Sequence, residues 1–217
     1  GNRAIRLCFS HPDIFKKQLK AALRAACYGN LQIMFPMISS MDDILRAKKL
    51  LEDAKRELEE QNIPYGKDYK FGIMIEIPAI AMIADKVVEE VDFASIGTND
   101  LCQYLLAVDR LNPTVTNYYQ SFHPAMFRLI SFVVEQFNKA GKEISVCGEM
   151  GGDYKAVCVL IGMGMRKISM NSSSLAIIKR MVSSLSIDDA RKISNDVKTF
   201  NTAEEVETYL NKKFKNL

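Results

Sequence analysis

Polar side chains that could hold a charged ligand follow three apolar runs of this sequence. Glu76 follows one run, Asn99 and Asp100 follow the next, and Cys147 and Glu149 come at the end of a third. Each run resembles a buried strand, and the small or polar residues after it indicate a loop that leads into a helix. Ligands of α/β proteins bind at such loops, at the carboxyl ends of parallel strands. We therefore predict that these side chains lie close together.

Glu76 and Asp100 are candidate magnesium ligands. Two carboxylates on adjacent loops can share one divalent cation, with water and substrate completing the oxygen shell that Mg²⁺ prefers. Either residue alone is more often the cap of the helix that follows it. The pattern by itself supports the two interpretations equally.

Arg3 and Arg110 are candidates for binding a phosphate or carboxylate, because a guanidinium matches the geometry of either anion. Arg110 is expected about three helical turns beyond the loop that carries Asn99 and Asp100. For any single arginine a surface salt bridge is the commoner role. Cys147 is either a small core residue or a thiol facing the site.

Strands and helices alternate along the chain, which predicts an α/β fold with a parallel sheet. A helix with a capping box is predicted to begin after Ser40, another to run from Ala79 to Val91, and a third from Pro124 to Ala140. The pattern leaves open a doubly wound sheet or a (β/α) barrel, and the chain is short for a complete barrel of about 250 residues. Six strands are predicted: Ala4–Cys8, Leu31–Met37, Phe71–Glu76, Phe93–Ile96, Ile144–Cys147 and Lys167–Met170.

Composition restricts the class of partner. The 217 residues carry a net charge of +3 and are 48% hydrophobic, which is enough for a core. No basic stripe with interleaved aromatic residues stands out, which disfavours nucleic acid, and no apolar run approaches a membrane span. The five cysteines are an odd number and form no Cys-x-x-Cys pair, so a reducing cytoplasm is the expected location.

Four blocks of the sequence resemble the phosphoenolpyruvate-utilising enzyme family. Within that family they are most similar to the phosphoenolpyruvate–protein phosphotransferases, the enzyme I group of the bacterial sugar phosphotransferase system. Met150, directly after Cys-Gly-Glu, separates this group from the dikinases. The blocks are Gly1–Arg6, Gly72–Ala79, Asp92–Leu101 continuing to Asp109-Arg110, and Cys147–Asp153.

The resemblance implies a (β/α)8 TIM-type barrel that is incomplete here, with about six βα units and the first two missing. Residues 1–217 would be the phosphoenolpyruvate-binding domain at the C-terminal end of a longer enzyme. A block with a further phosphate-binding arginine has no counterpart in this chain, and neither does the domain with the phosphoryl-accepting histidine.

The resemblance also assigns roles to residues. Magnesium would be held by Glu76 and Asp100. Phosphoenolpyruvate would be bound by Arg3, Asn99 and Arg110. Cys147 would be the catalytic acid that protonates the methylene carbon of the enolate.

In the complete enzyme, the family's activity is transfer of the phosphoryl group to a histidine of the N-terminal domain, with release of pyruvate. The carrier protein HPr then receives the group for sugar uptake. The resemblance implies a homodimer, and a chain that by itself binds ligand weakly and does not phosphorylate itself. Two alternatives stay open: a pyruvate phosphate dikinase or phosphoenolpyruvate synthase type of domain, and a non-catalytic dimerisation module.

Overall fold

A five-stranded parallel sheet organises the computed structural model, which describes residues 1–215. The strands lie side by side in chain order, from β1 at one edge to β5 at the other. Every pairing between neighbours is parallel. The strands are β1 (Leu31–Phe35), β2 (Tyr69–Ile75), β3 (Phe93–Gly97), β4 (Glu143–Cys147) and β5 (Lys167–Ile168).

Helices connect the strands and close the chain. Between strands, each crossover contains at least one helix. The helices are α1 (Ile5–Ser10), α2 (Pro12–Ala25), α3 (Met41–Glu60), α4 (Pro78–Ala81), α5 (Ala84–Glu90), α6 (Thr98–Leu105), α7 (Pro124–Lys139), α8 (Tyr154–Gly162), α9 (Leu175–Ser184), α10 (Ile187–Val197) and α11 (Ala203–Lys213).

The strand order favours a barrel-type sheet over a doubly wound one. Right-handed crossovers that always step in the same direction place their helices on one face of the sheet. Burial along the strands agrees, since Ile73 and Ile75 are fully buried whereas Met74 between them is partly exposed. The same alternation in β4 buries Ile144 and leaves Ser145 half-buried. An eight-stranded barrel would take three strands beyond these five.

The predicted strand at Ala4–Cys8 is wrong, because this segment forms α1. Ile5, Leu7 and Phe9 alternate with polar or small residues, which imitates a strand. Ile5 and Phe9 are also four residues apart, so they share one face of a helix, and both are buried. Leu7 lies on the other side of the helix and is 44% exposed.

Two helix starts are confirmed, and one predicted helix is divided. Ser40 and Asp43 form the expected capping box at the start of α3, with the Asp43 amide donating to Ser40 Oγ at 3.2 Å. Helix α7 begins at Pro124 as predicted and ends one residue before Ala140. The single helix predicted from Ala79 to Val91 is instead two, α4 and α5, separated by a turn.

Candidate functional site

Parallel pairing places the predicted side chains at one edge of the sheet. Ile75 at the end of β2 pairs with Ile96 of β3, and Gly97 pairs with Cys147 at the end of β4. Glu76 is the residue after β2, and α6 begins directly after β3. The strand ends therefore bring Glu76, the first turn of α6 and Cys147 to the same level, as the sequence predicts.

Glu76 is the deepest charged group of the site, with 3% of its surface exposed. Its Oε1 accepts a hydrogen bond of 2.6 Å from the backbone amide of Met37. Met37 has a φ of 58°, an uncommon value for a residue with a side chain, and this conformation directs its amide at the carboxylate. Gly97 leaves room on the other side, because a Cβ there would lie 2.9 Å from Glu76 Oε2.

Asp100, in the first turn of α6, lies beside Glu76. Burial raises the pKa of Glu76, and the Asp100 carboxylate raises it further, whereas the Met37 amide and the Arg3 guanidinium lower it. Arg3 Nη2 is 3.5 Å from Asp100 Oδ2. The other oxygen, Asp100 Oδ1, is buried and accepts no hydrogen bond from the described residues.

An orphaned buried carboxylate oxygen beside a second carboxylate fits a hard divalent cation. Within residues 1–215 no cluster of three or more histidine, cysteine, aspartate and glutamate side chains could enclose a metal ion. The protein therefore offers two carboxylates, and other ligands would have to come from water or substrate. Mg²⁺ is commonly held in this way.

Asn99 is fixed by the loop after β4. Its Oδ1 accepts a hydrogen bond of 2.9 Å from the Glu149 amide, which leaves the two N–H bonds of Nδ2 for other acceptors. Gly148 allows this approach, since it has a φ of 98° and a Cβ there would lie 2.4 Å from Thr98 Oγ1 and 2.9 Å from Asn99 Oδ1. The loops after β3 and β4 thus interlock.

Cys147 lies at the same junction and is half-buried. Its thiol donates to the Ile96 carbonyl at 3.5 Å, and its own carbonyl accepts a hydrogen bond of 2.9 Å from Thr98 Oγ1. The thiol therefore has a defined position at the strand end, next to the loop that carries Asn99 and Asp100.

Arg110 does not lie on the predicted long helix. Helix α6 ends at Leu105, and Ala107 turns the chain with a φ of 54°. Arg110 follows in a loop, where its backbone amide donates to Gln103 Oε1 at 3.1 Å. The positive charge of Arg110 lowers the pKa of Tyr119, against the larger effect of burial, and the Tyr119 hydroxyl donates to the Asn99 carbonyl at 3.4 Å. Arg110 therefore lies within electrostatic range of Tyr119, and it is carried by a loop instead of the predicted helix.

Sequence reasoning missed the groups that hold these side chains in place. Met37 and Tyr119 act on the site through one hydrogen bond each. The signal for Met37 was available, because Pro36-Met37 follows an apolar run just as Glu76 does. No spacing rule identifies Tyr119, which lies in an irregular segment.

An apolar groove of about 540 Å³ lies elsewhere on the molecule and contains none of the predicted site residues. Its wall includes Met82, Leu105, Leu129 and Phe132. The candidate site is thus defined by its donors and acceptors, not by the volume of a cavity. Among residues 1–215, no helix combines the length and apolarity needed to cross a bilayer.

Comparison with solved structures supports a barrel-type fold. A citrate lyase from Burkholderia xenovorans LB400 superimposes with a TM-score of 0.56 at 14% identity, covering 92% of this chain and 68% of that one. An HpcH/HpaI aldolase/citrate lyase family protein from Burkholderia cenocepacia J2315 gives a TM-score of 0.52 at 17% identity, covering 83% of this chain and 70% of that one. At such identities the likeness concerns the fold alone, and it agrees with the predicted TIM-type α/β class.

Comparison of sequences gives the family. Residues 1–187 match the family model described as PEP-utilising enzyme, PEP-binding domain. A Bacillus subtilis protein named phosphoenolpyruvate-protein phosphotransferase is 43% identical over 215 residues, 99% of this chain and 38% of that protein. A Listeria monocytogenes protein of the same name is 44% identical over 206 residues, 95% of this chain and 36% of that protein. The chain spans little more than a third of these relatives, and by both comparisons it belongs to the PEP-utilising enzyme family, whose PEP-binding domain it contains.

Proposed function

We propose that the strand-end site binds phosphoenolpyruvate together with Mg²⁺ and supports transfer of the phosphoryl group. The observation that carries the proposal is the pair of neighbouring carboxylates, Glu76 and Asp100, with one buried oxygen left without a hydrogen bond. Two adjacent acids, of which Glu76 is buried, are unfavourable unless a proton or a cation compensates them. A site that needs positive charge at its centre suits a metal-bound anionic substrate.

Glu76 and Asp100 are the residues that would hold Mg²⁺. The bound ion would neutralise charge on the phosphoryl oxygens and on the oxygen that leaves with pyruvate. Both carboxylates have defined orientations before binding, because the Met37 amide fixes Glu76 and the first turn of α6 carries Asp100. The metal ligands would therefore need little rearrangement.

Arg3, Arg110 and Asn99 are proposed to bind the phosphate and carboxylate groups of the substrate. In the ligand-free chain Arg3 partly compensates Asp100 at 3.5 Å, with 54% of its side chain exposed. A cation at the carboxylates would release this guanidinium for the substrate. Asn99 would donate from Nδ2, because its Oδ1 is already used by Glu149.

Cys147 is proposed to protonate the product. When the phosphoryl group moves from phosphoenolpyruvate to an acceptor nitrogen, the bridging P–O bond breaks and its electron pair stays on the oxygen, which leaves the enolate of pyruvate. The enolate carbon takes a proton from the Cys147 thiol, giving pyruvate and a thiolate that solvent reprotonates. The hydrogen bond from the thiol to the Ile96 carbonyl keeps this acid in one position, which a stereospecific proton transfer requires.

The relatives are named as phosphotransferases that act on a protein, and the family resemblance of the four sequence blocks extends the proposal to the complete enzyme. There the acceptor would be a histidine of an N-terminal domain, from which the phosphoryl group passes to the carrier protein HPr for sugar uptake. We also infer a homodimer, which sedimentation with and without phosphoenolpyruvate would test. A cytoplasmic location agrees with the five free thiols, and cell fractionation would check it.

Calorimetric titration of the chain with phosphoenolpyruvate, with and without Mg²⁺, tests the proposal directly. We expect weak, Mg²⁺-dependent binding, and no stable phosphorylation when the phosphoryl group is labelled. Adding a separately produced N-terminal histidine domain and HPr should then place label on HPr. Absence of any heat of binding, together with a ligand-independent dimer, would instead favour a dimerisation module.

A further inference from the structure

Tyr119 connects the irregular segment after α6 to the candidate site. Its hydroxyl donates to the backbone carbonyl of Asn99 at 3.4 Å, and its ring is half-buried. Asn99 is thereby held at two points, at its carbonyl by Tyr119 and at its side chain by the Glu149 amide. The peptide that Tyr119 contacts joins Asn99 to Asp100, so its orientation also determines where Asp100 points.

The charged groups that act on the Tyr119 hydroxyl include residues of the candidate site. Burial, and after it the charges of Cys102 and Glu149, raise the pKa of Tyr119 to about 12, and the Arg110 guanidinium opposes part of this shift. The group therefore stays protonated and able to donate at neutral pH. Cys102 is fully buried, and burial raises the pKa of its thiol to about 11.

We infer that Tyr119 is a positioning residue, whose hydroxyl holds the Asn99–Asp100 peptide so that the amide of Asn99 and the carboxylate of Asp100 face the ligand together. Tyr119 acts through these residues and needs no contact with the substrate. The inference deepens the proposed function of the same site and rests on it. It assigns the segment between α6 and α7 a role in ligand binding besides carrying Arg110.

The adjacent tyrosine provides a matched control. Tyr118 is 63% exposed, and its side chain makes no hydrogen bond to other residues in the described part of the chain. Tyr119→Phe removes one hydroxyl and keeps the ring, and Tyr118→Phe makes the same chemical change one position away. The chain has eight tyrosines and no tryptophan, so its near-ultraviolet spectrum reports mainly on tyrosines.

The experiment titrates the full chain and both variants with phosphoenolpyruvate and Mg²⁺, by calorimetry and by near-ultraviolet difference spectroscopy. Tyr119→Phe should bind about fivefold more weakly than the wild type, as expected for the loss of one neutral hydrogen bond. It should also lose the tyrosine difference signal, which Tyr118→Phe should keep. Melting temperatures without ligand should differ little among the three proteins.

The outcomes separate the two proposals. If the wild type binds and Tyr119→Phe matches it in affinity and in difference signal, Tyr119 has no positioning role and the proposed function stands. If Tyr119→Phe loses thermal stability but binds normally, its role is structural and the inference is wrong. If the wild type does not bind phosphoenolpyruvate with Mg²⁺, the proposed function and this inference both fail.

Discussion

Two clusters of charged residues in this molecule contrast sharply. On the surface, Glu57 of α3 pairs with Lys16 and Lys20 of α2, with Oε–Nζ distances of 2.5 and 2.8 Å. At the strand ends, Glu76 and Asp100 lie together. The Arg3 guanidinium is 3.5 Å from the Asp100 carboxylate. In the first cluster two ammonium groups contact one carboxylate, and in the second one guanidinium accompanies two carboxylates.

The pKa values respond in opposite directions. Hydrogen bonds from Lys16 and then Lys20 lower the pKa of Glu57 to about 2, so this carboxylate is stabilised in its charged form. Burial and Asp100 raise the pKa of Glu76. The surface cluster joins two helices and pairs its carboxylate with two ammonium groups, whereas the strand-end cluster has one guanidinium for two carboxylates. A carboxylate that the fold leaves uncompensated is the better guide to a ligand site.

The largest effect is expected on turnover when a residue at the strand ends is changed. Cys147→Ala in the complete enzyme removes the proposed acid, and turnover should fall by about 10²–10⁴-fold, as is usual when a general acid is lost. Phosphoenolpyruvate binding should persist, because the metal and phosphate ligands remain. Pyruvate formation and calorimetry measure the two effects, with Cys27→Ala, at an exposed position, as the control. Undiminished turnover would exclude Cys147 as the acid.

Ligand affinity should distinguish the clusters next. Asp100→Asn keeps the shape of the side chain and removes one negative charge, so Mg²⁺-dependent binding of phosphoenolpyruvate should weaken by about 100-fold. Glu57→Gln makes the corresponding change in the surface cluster and should leave affinity unchanged. Calorimetry of both variants tests this contrast, and equal losses would mean that Asp100 acts through general electrostatics and not as a ligand.

The stability of the ligand-free chain should change in an unexpected direction at Glu76. Because its folded pKa is raised, the stabilisation from protonated Glu76 is fully present below the unfolded pKa of about 4.3 and is lost as pH rises through the folded pKa. Glu76→Gln should therefore increase stability near neutral pH by about 1 kcal/mol, roughly 3 °C in melting temperature, and have little effect at acidic pH. Mg²⁺ should raise the melting temperature of the wild type but not that of Glu76→Gln. A lower melting temperature at neutral pH would show that Glu76 is already compensated.

The smallest effect is expected at the surface cluster, and with the opposite sign. The lowered pKa of Glu57 means that its contribution is present above the unfolded pKa and is lost as pH falls toward 2. Glu57→Gln should lower the melting temperature at neutral pH by at most about 3 °C, because exposed ion pairs contribute little. Melting curves in about 1 M salt should show a smaller difference. A salt-independent loss would point to packing instead.

Much of the site was predictable because it depends on strand ends. The predicted strands that carry Glu76, Asn99 and Cys147 exist, and parallel register then places these residues together. The capping box of α3 was predictable because its signal, Ser40 followed by Asp43, is local in the sequence. The roles of the six proposed site residues stay predictions, and the experiments above are designed to test them.

The features that were missed depend on non-local or irregular geometry. Ala4–Cys8 fits both a strand and a helix period, and burial of Ile5 and Phe9 decides between them. Soon after α6 ends, the chain turns at Ala107, which has a left-handed conformation. An alanine in the sequence does not predict this conformation. Tyr119 reaches Asn99 only because the irregular segment folds back. Sequence patterns describe periodic elements well, and loops much less so.

Gly148 has a consequence for anyone who would transplant this site into another scaffold. Its missing side chain sets the separation between the loops after β3 and β4, with Thr98 and Asn99 filling the space. A graft that carried only Asn99 and Asp100 would leave behind the segment that holds the amide in place. The smallest unit that keeps Asn99 in place is therefore both loops at their native spacing, with a glycine at the crossing point.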